Sequence, residues 1–222
     1  MLFKIICLIA FLTIFAFADE LKHVKLQLRW LHQFQFAGYY MAVEKGFYKD
    51  MGLDVEIIEG FKKHSTTEVL EKRADFGVGN AGIVYERLNG KKVVSLATVF
   101  QHSPNIWLIR KDSNISYIED LIGKKLMMTK TDENIELLAM FVNEGIPLDK
   151  LNIIESSYNL DDLIDRKVDA FNTYYSNEPF FLEQKGIEYT ILQPHTYGMD
   201  FYSDCLFTSE EFLNKNPEVK KV

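Results

Sequence analysis

Short apolar runs alternate with amphipathic segments along most of the chain. Leu26–Leu31 alternates apolar and polar residues as a strand does, Phe36–Lys45 has helical spacing, and Leu53–Ile58 is a second strand. Two glycines mark the turn between the helix and the second strand. This opening stretch therefore predicts a βαβ unit.

The same alternation continues toward the C-terminus. Further strands are predicted at Ala74–Gly79, Val93–Phe100, Ile106–Arg110, Lys125–Met128, Leu151–Glu155, Ala170–Tyr174, Tyr189–Leu192 and Leu206–Thr208. Helices are predicted at Thr66–Lys72, Ile83–Leu88, Tyr117–Leu121, Glu133–Asn143, Leu160–Asp165, Glu178–Lys185 and Ser209–Leu213. Strands that alternate with helices predict an α/β fold whose parallel sheets have right-handed crossovers.

The pattern also divides into two similar runs. The same order of features occurs in Leu70–Phe76 and Ile164–Ala170: a helix end, two cations, a small or β-branched residue, and an Asp that enters a strand. The polar segment Gln101–Asn105 interrupts the alternation, and Pro194–Asp204 returns the chain. We therefore expect two lobes, one from residues 19–102 with 196–222 and one from residues 103–195.

The N-terminus is typical of an export signal. Lys4 precedes the apolar run Ile5–Phe17, and Ala16-Phe17-Ala18 is a small-x-small cleavage site. Residues 1–18 are therefore predicted to be a signal peptide. An uncleaved anchor is the alternative, although the run is shorter than the roughly 20 residues of a spanning helix. Cleavage would leave Cys205 as a lone cysteine, which we expect to be a packed core thiol.

Composition narrows the classes of function. The chain has 222 residues, 47% of them hydrophobic, which favours a globular protein, and its net charge of −7 argues against a nucleic-acid surface. The five histidines are widely spaced, so no metal site is expected, and there is no phosphate loop or paired nucleophile. We expect no cofactor, and these absences favour a binding protein over an enzyme.

Candidate binding residues follow the predicted strands, where open α/β sheets bind ligands. Aromatic side chains can stack on a flat ring while amides and carboxylates read its edge. Core packing of Phe36, helix capping by Asn80 and a helix-dipole role for Glu178 are the structural alternatives. The candidates are Trp30, Gln33, Phe36, Tyr39, Asn80, Asn105, Tyr174, Glu178, Tyr197 and Asp200.

The stretch from Trp30 to Glu56 carries a family resemblance. Its polar-aromatic loop, small-residue helix and EKGFYKDMGLDVE turn (Glu44–Glu56) resemble the NMT1/THI5-like, SsuA-like periplasmic solute-binding proteins. The resemblance implies a two-lobed periplasmic-binding-protein (type II) fold, with a mostly parallel sheet flanked by helices in each lobe. It also implies a periplasmic monomer that binds a small molecule, plausibly an aminopyrimidine thiamine precursor, and delivers it to an inner-membrane ABC permease.

Two other functions are compatible with this family. Its eukaryotic branch, thiamine pyrimidine synthase, uses pyridoxal phosphate and iron, but the histidine of that enzyme falls at Phe36 here. Its cysteine-rich segment falls at Gly198–Tyr202, which contains no cysteine. Related domains also serve as the sensing part of histidine kinases or diguanylate cyclases. Because Asn216-Pro217-Glu218 starts a helix that stops at Val222, we expect a C-terminally truncated chain with an incomplete first lobe.

Overall fold

The computed structural model describes residues 20–61, 63–130, 134–217 and 219, and two five-stranded sheets are found there. The predicted signal peptide, residues 1–18, lies outside the described residues, as does most of the helix predicted to start at Asn216. Within the described part of the chain, no helix has the length and apolarity that a membrane crossing requires.

The element order follows the sequence pattern closely. The strands are β1 Lys22–Gln27, β2 Leu53–Ile58, β3 Phe76–Gly79, β4 Val93–Phe100, β5 Asn105–Arg110, β6 Lys125–Met128, β7 Asn152–Glu155, β8 Ala170–Tyr174, β9 Tyr189–Leu192 and β10 Ser203–Ser209. The α-helices are α1 Ala37–Glu44, α2 Phe47–Asp50, α3 Ser65–Leu70, α4 Gly82–Leu88, α5 Ile135–Asn143, α6 Asp161–Ile164, α7 Glu178–Gln184 and α8 Glu210–Lys215. The segment predicted as a helix at Tyr117–Leu121 is a 3₁₀ helix, Ile118–Leu121.

Both sheets have the same arrangement. The first has the strand order β2-β1-β3-β10-β4, and the second has the order β7-β6-β8-β5-β9. In each sheet four strands run parallel, and the fifth strand, β10 or β5, lies antiparallel between two of them. The predicted α/β class is confirmed. The sheets are mixed rather than fully parallel, because each inserted strand follows a crossing between the sheets and runs antiparallel to its neighbours.

The inserted strand β5 is an interior strand of the second sheet, between β8 and β9. Ile106 and Leu108 pack on one face of the sheet, and Trp107 and Ile109 pack on the other, all fully buried. A strand covered by helices on both faces is apolar at consecutive positions rather than alternate ones. The uninterrupted run Ile106–Ile109 is therefore explained by this interior position.

The first sheet is also packed on both faces. Phe36 lies fully buried against Leu26, Leu28 and Val78. On the other face the Phe207 ring packs so tightly that a Cβ on Gly77 would lie 2.4 Å from it. Glycine at this position allows β10 to insert beside β3.

The first strand begins earlier than its sequence pattern indicates. The prediction of a strand at Leu26–Leu31 is wrong, because β1 pairs with β2 from Lys22↔Leu53 to Gln27↔Ile58. The N-terminal half of β1 is polar because one face is partly exposed, so apolar alternation does not reveal it. The chain after Gln27 is therefore available to form a loop.

The two similar sequence runs fold into the same turn. Lys72 and Arg166 occupy matching left-handed positions, with φ of 62° and 58°. A few residues later, Asp75 accepts a hydrogen bond from the Lys25 amide at 2.8 Å, and Asp169 accepts one from the Lys125 amide at 2.8 Å. Each Asp therefore joins the start of one parallel strand to its neighbour in the corresponding sheet.

We predict that removing either acceptor weakens the fold. Asp75→Ala and Asp169→Ala should each lower the free energy of unfolding by about 1.5–3 kcal/mol, since a backbone amide loses a charged acceptor. Urea unfolding monitored by circular dichroism measures this. The matched control is Asp165→Ala, an exposed residue that pairs with Lys167 and whose loss should cost under about 0.5 kcal/mol. Equal losses in all three variants would contradict the assignment.

Candidate functional site

A cavity of about 320 Å³ lies between the two sheets, at the carboxyl ends of their parallel strands. This is the expected position for a ligand in open α/β sheets. Aromatic, amide and charged side chains line it: Arg29, Trp30, Gln33, Gln35, Lys63, His64, Asn105, Thr129, Asn134, Ser156, Tyr158, Phe171, Asn172, Thr173, Tyr174, Asn177 and Glu178.

The buried side-chain amide of Gln27 positions the loop that forms one wall of the cavity. The Gln27 side chain donates hydrogen bonds to the carbonyls of Leu28, Ile58 and Glu59 at 3.1, 3.3 and 2.8 Å. The Gly60 amide donates to the Trp30 carbonyl at 3.0 Å, and a Cβ on Gly60 would lie 1.9 Å from a backbone oxygen. These contacts fix the ends of β1 and β2 together, so that the loop carrying Trp30 projects into the cavity.

Three aromatic rings meet at the cavity. The Trp30 ring centroid lies 5.2 Å from that of Phe61 and 5.1 Å from that of Tyr158, and Phe61 and Tyr158 are 5.6 Å apart. Trp30 and Phe61 follow strands of the first sheet, whereas Tyr158 follows a strand of the second. The cluster therefore spans the gap between the sheets and offers aromatic faces to a flat ligand.

A buried charged network lies beside these rings. Arg29 and Asp204 form an ion pair at 3.6 Å, with side-chain exposures of 11% and 1%. The Tyr174 hydroxyl contacts Arg29 and donates to Asp204 at 3.2 Å, and Gln35 donates to Asp204 at 3.1 Å. Burial raises the pKa of Asp204 despite the nearby Arg29. Because Tyr174 belongs to the second sheet, this network also joins the two sheets.

Amide groups form the floor of the cavity. Asn172 donates to Asn105, Asn105 donates to Asn134 at 3.1 Å, and Asn134 donates to the Thr129 carbonyl at 2.8 Å. An amide offers both donors and an acceptor, so this row can bind ring nitrogens and exocyclic amines alike. The same floor is poorly suited to a purely apolar ligand.

Two carboxyl groups lie near this floor, that of Glu136 buried and that of Glu178 half-buried. Glu136 accepts a hydrogen bond from the Ser103 hydroxyl at 2.6 Å, and its buried Oε2 has no hydrogen-bond partner among the described residues. Glu178 lines the cavity and accepts a hydrogen bond from Asn177 at 2.9 Å. Burial raises the pKa of both groups. Glu178 is the one of the two that a ligand in the cavity can contact.

The cavity contains five of the ten residues predicted from the sequence. Trp30, Gln33, Asn105, Tyr174 and Glu178 all line it. Their role in binding stays a prediction, but the fold brings them to one place.

The other five predicted residues lie outside the cavity lining. Phe36 is fully buried in the core, and Tyr39 packs against the same cluster with a buried hydroxyl that has no hydrogen-bond partner in the described part of the chain. Asn80 accepts a hydrogen bond from the Gly82 amide at 3.0 Å at the start of α4. Tyr197 packs against the core of the second sheet, and Asp200 pairs with His102 at 2.8 Å. Packing or a helix start accounts for the first four side chains, whereas Asp200 is exposed.

Several lining residues were not predicted from the sequence. Arg29 and Gln35 flank predicted residues, and Asn172 lies two positions before Tyr174 on the same face of β8. That period-two spacing is a usable sequence signal. His64, Thr129, Asn134 and Tyr158 lie on loops whose positions depend on tertiary packing, so no local pattern marks them.

A family model described as NMT1/THI5 like matches residues 33–222, which is most of the chain. The chain belongs to this family. The resemblance inferred from Trp30–Glu56 is thereby confirmed.

Named relatives share moderate identity with the chain. A thiamine biosynthesis protein of Haemophilus influenzae is 25% identical over 218 residues, covering 95% of this chain and 67% of that protein. A formylaminopyrimidine-binding protein of Halalkalibacterium halodurans is 23% identical over 210 residues, covering 90% of this chain and 63% of that protein. The chain thus spans about two thirds of the length of these relatives.

Solved structures show the same fold. The periplasmic aliphatic sulphonate binding protein SsuA of Escherichia coli superposes with a TM-score of 0.71 at 12% identity. The superposition covers 90% of this chain and 69% of that one. The periplasmic-binding-protein fold expected from the sequence is therefore confirmed.

We predict that Glu136 makes stability depend on pH. Because its pKa is raised by burial, the folded protein retains a proton that the unfolded chain loses, and the free energy of unfolding falls as pH rises through that interval. Glu136→Gln removes this titration while keeping an acceptor for Ser103. The variant should therefore unfold at a higher temperature than the parent above the interval, with the gap closing at lower pH.

Thermal unfolding between about pH 4 and pH 8 measures this difference. The matched control is Glu144→Gln, since Glu144 is exposed at the C-terminal end of the same helix. The control should follow the parent at every pH. A gap between the Glu136→Gln variant and the parent that does not change with pH would show that Glu136 is ionised throughout.

Proposed function

We propose that this protein is an exported substrate-binding protein. It captures a small nitrogen heterocycle, an aminopyrimidine precursor of thiamine, in the cleft between two lobes of residues 19–102 with 196–222 and residues 103–195. The observation that carries the proposal is the cavity itself, with aromatic rings, amides and a half-buried carboxyl on its walls.

The size and chemistry of the cavity favour such a ligand. A volume of about 320 Å³ lies near the lower end of the range for small-molecule sites, which suits a single substituted ring. The Trp30 and Tyr158 rings supply stacking surfaces, while Glu178 and the row of asparagines supply partners for amines and ring nitrogens. Arg29, the cation of the buried charged network, is paired with Asp204. Because its charge is already balanced, an aminopyrimidine suits the site better than an anionic sulfonate.

The family comparisons support the same class of function. One relative is named for binding a formylaminopyrimidine, and another is named for thiamine biosynthesis. A binding role is favoured over the thiamine pyrimidine synthase alternative, because one relative is named as a formylaminopyrimidine-binding protein and SsuA has the same fold. Periplasmic location, a monomeric state and delivery to an ABC permease complete the proposal by analogy with such proteins.

Thermal unfolding of the purified chain with a ligand panel tests the proposal. The panel contains hydroxymethyl- and formylaminomethyl-aminopyrimidine, taurine, an alkanesulfonate and pyridoxal phosphate. A true ligand at about 100 times its dissociation constant should add roughly 2.7 kcal/mol to the free energy of unfolding. We expect an upward shift with an aminopyrimidine, lost in Trp30→Ala and in Glu178→Ala.

A matched control variant distinguishes the effect of a cavity residue from that of another residue in the same loop. Phe34 lies in the same loop as Trp30 but is 93% exposed and outside the cavity lining, so Phe34→Ala should keep the shift. A cooperative transition that no aminopyrimidine moves would eliminate this ligand class. A shift with taurine or the alkanesulfonate instead would retain the binding role and replace the ligand.

A further inference from the structure

Two histidines and an aspartate meet where the chain passes between the sheets. His102 lies in the outgoing crossing, residues 101–104, and His195 and Asp200 lie in the return crossing, residues 193–202. One nitrogen of each ring and one Asp200 oxygen all lie within 4.8 Å of one another. The three side chains are exposed and lie outside the cavity lining, so the proposed ligand site does not use them.

The separations suit a small metal ion. His102 Nδ1 lies 2.8 Å from Asp200 Oδ1, and His195 Nδ1 lies 3.5 Å from Asp200 Oδ2. Two ligand atoms, each about 2.1 Å from a tetrahedral zinc ion, lie about 3.4 Å apart. Small side-chain rotations therefore bring all three groups to bonding distance, and the exposed side leaves room for water as a fourth ligand. Two imidazoles and a carboxylate are a donor set that zinc and copper accept.

Another histidine with two carboxylates lacks this geometry. His23 contacts Asp54 through Nδ1 at 2.9 Å and Glu56 through Nε2 at 3.3 Å. Because the two ring nitrogens point in different directions, the two carboxylates lie on opposite sides of the ring and cannot share one ion with it. At the crossings, by contrast, the two rings approach the same carboxylate, with centroids 5.4 Å apart.

We propose that His102, His195 and Asp200 bind a divalent transition-metal ion, of which zinc is the representative. The ion would connect the two crossings that join the sheets, so that any movement of one lobe against the other would change the distances among its ligands. The overall negative charge of the chain, −7, favours the accumulation of cations near this exposed site.

Titration of the tag-free chain with zinc, by calorimetry, tests the proposal. We expect one saturable site in the parent and binding at least about tenfold weaker in His102→Ala, His195→Ala and Asp200→Asn. The control His23→Ala should bind zinc as the parent does. Since all these side chains are exposed, each variant should retain the circular dichroism spectrum of the parent, which separates loss of a ligand from loss of folding.

Cobalt provides a second, spectroscopic measurement. The parent with Co²⁺ should show visible absorption bands of a site with nitrogen and oxygen ligands, and the His102→Ala/His195→Ala double variant should not. Equal zinc affinity in the parent and the double variant, or the absence of saturable zinc binding in the parent, would overturn the proposal. Both titrations are done without organic ligand, so their outcome is independent of the proposed aminopyrimidine binding.

Discussion

The paired chain crossings are the constraint on which the cavity depends. β5 enters the second sheet directly after residues 101–104, and β10 enters the first sheet after residues 193–202. Each inserted strand, β10 or β5, runs antiparallel between two strands of the parallel set of its sheet. Both crossings are therefore connected directly to strands of the packed cores. This anchoring places the carboxyl ends of the two sets of parallel strands opposite each other, with the cavity between them.

Buried polar groups stabilise this particular arrangement of the two sheets. Gln27 ties the ends of β1 and β2, and Asp204 gathers Arg29, Gln35 and Tyr174 across the gap between the sheets. Removing charged groups from water is costly unless they are paired, which is why Asp204 has three partners. Near the cavity, burial has a larger effect than the hydrogen bonds that Glu136 and Glu178 accept, so the pKa of both carboxyl groups is raised. Carboxyl groups with perturbed pKa values are concentrated at functional sites.

Some parts of the site were accessible from sequence because their signals are local. The loop around Trp30 is unusually rich in aromatic and amide residues, and Glu178 follows a strand at a helix start, so position relative to a strand was enough to place both. Asn80 and Phe36 carry similar local signals, yet Asn80 bonds to a helix start and Phe36 fills the core. Local pattern cannot distinguish these outcomes, because the direction in which a side chain points depends on what packs around its element.

Local sequence patterns predict the alternation of strands and helices, the repeated turn before Asp75 and Asp169, and the family, because each depends on neighbouring residues. Three features follow only from the folded arrangement: β5 and β10 run antiparallel inside their sheets, Tyr158 and Phe61 join Trp30, and His102, His195 and Asp200 meet. Apart from His195 and Asp200, these residues are separated by dozens of positions along the chain. Their proximity follows from long-range packing of two cores, which no short stretch of sequence encodes.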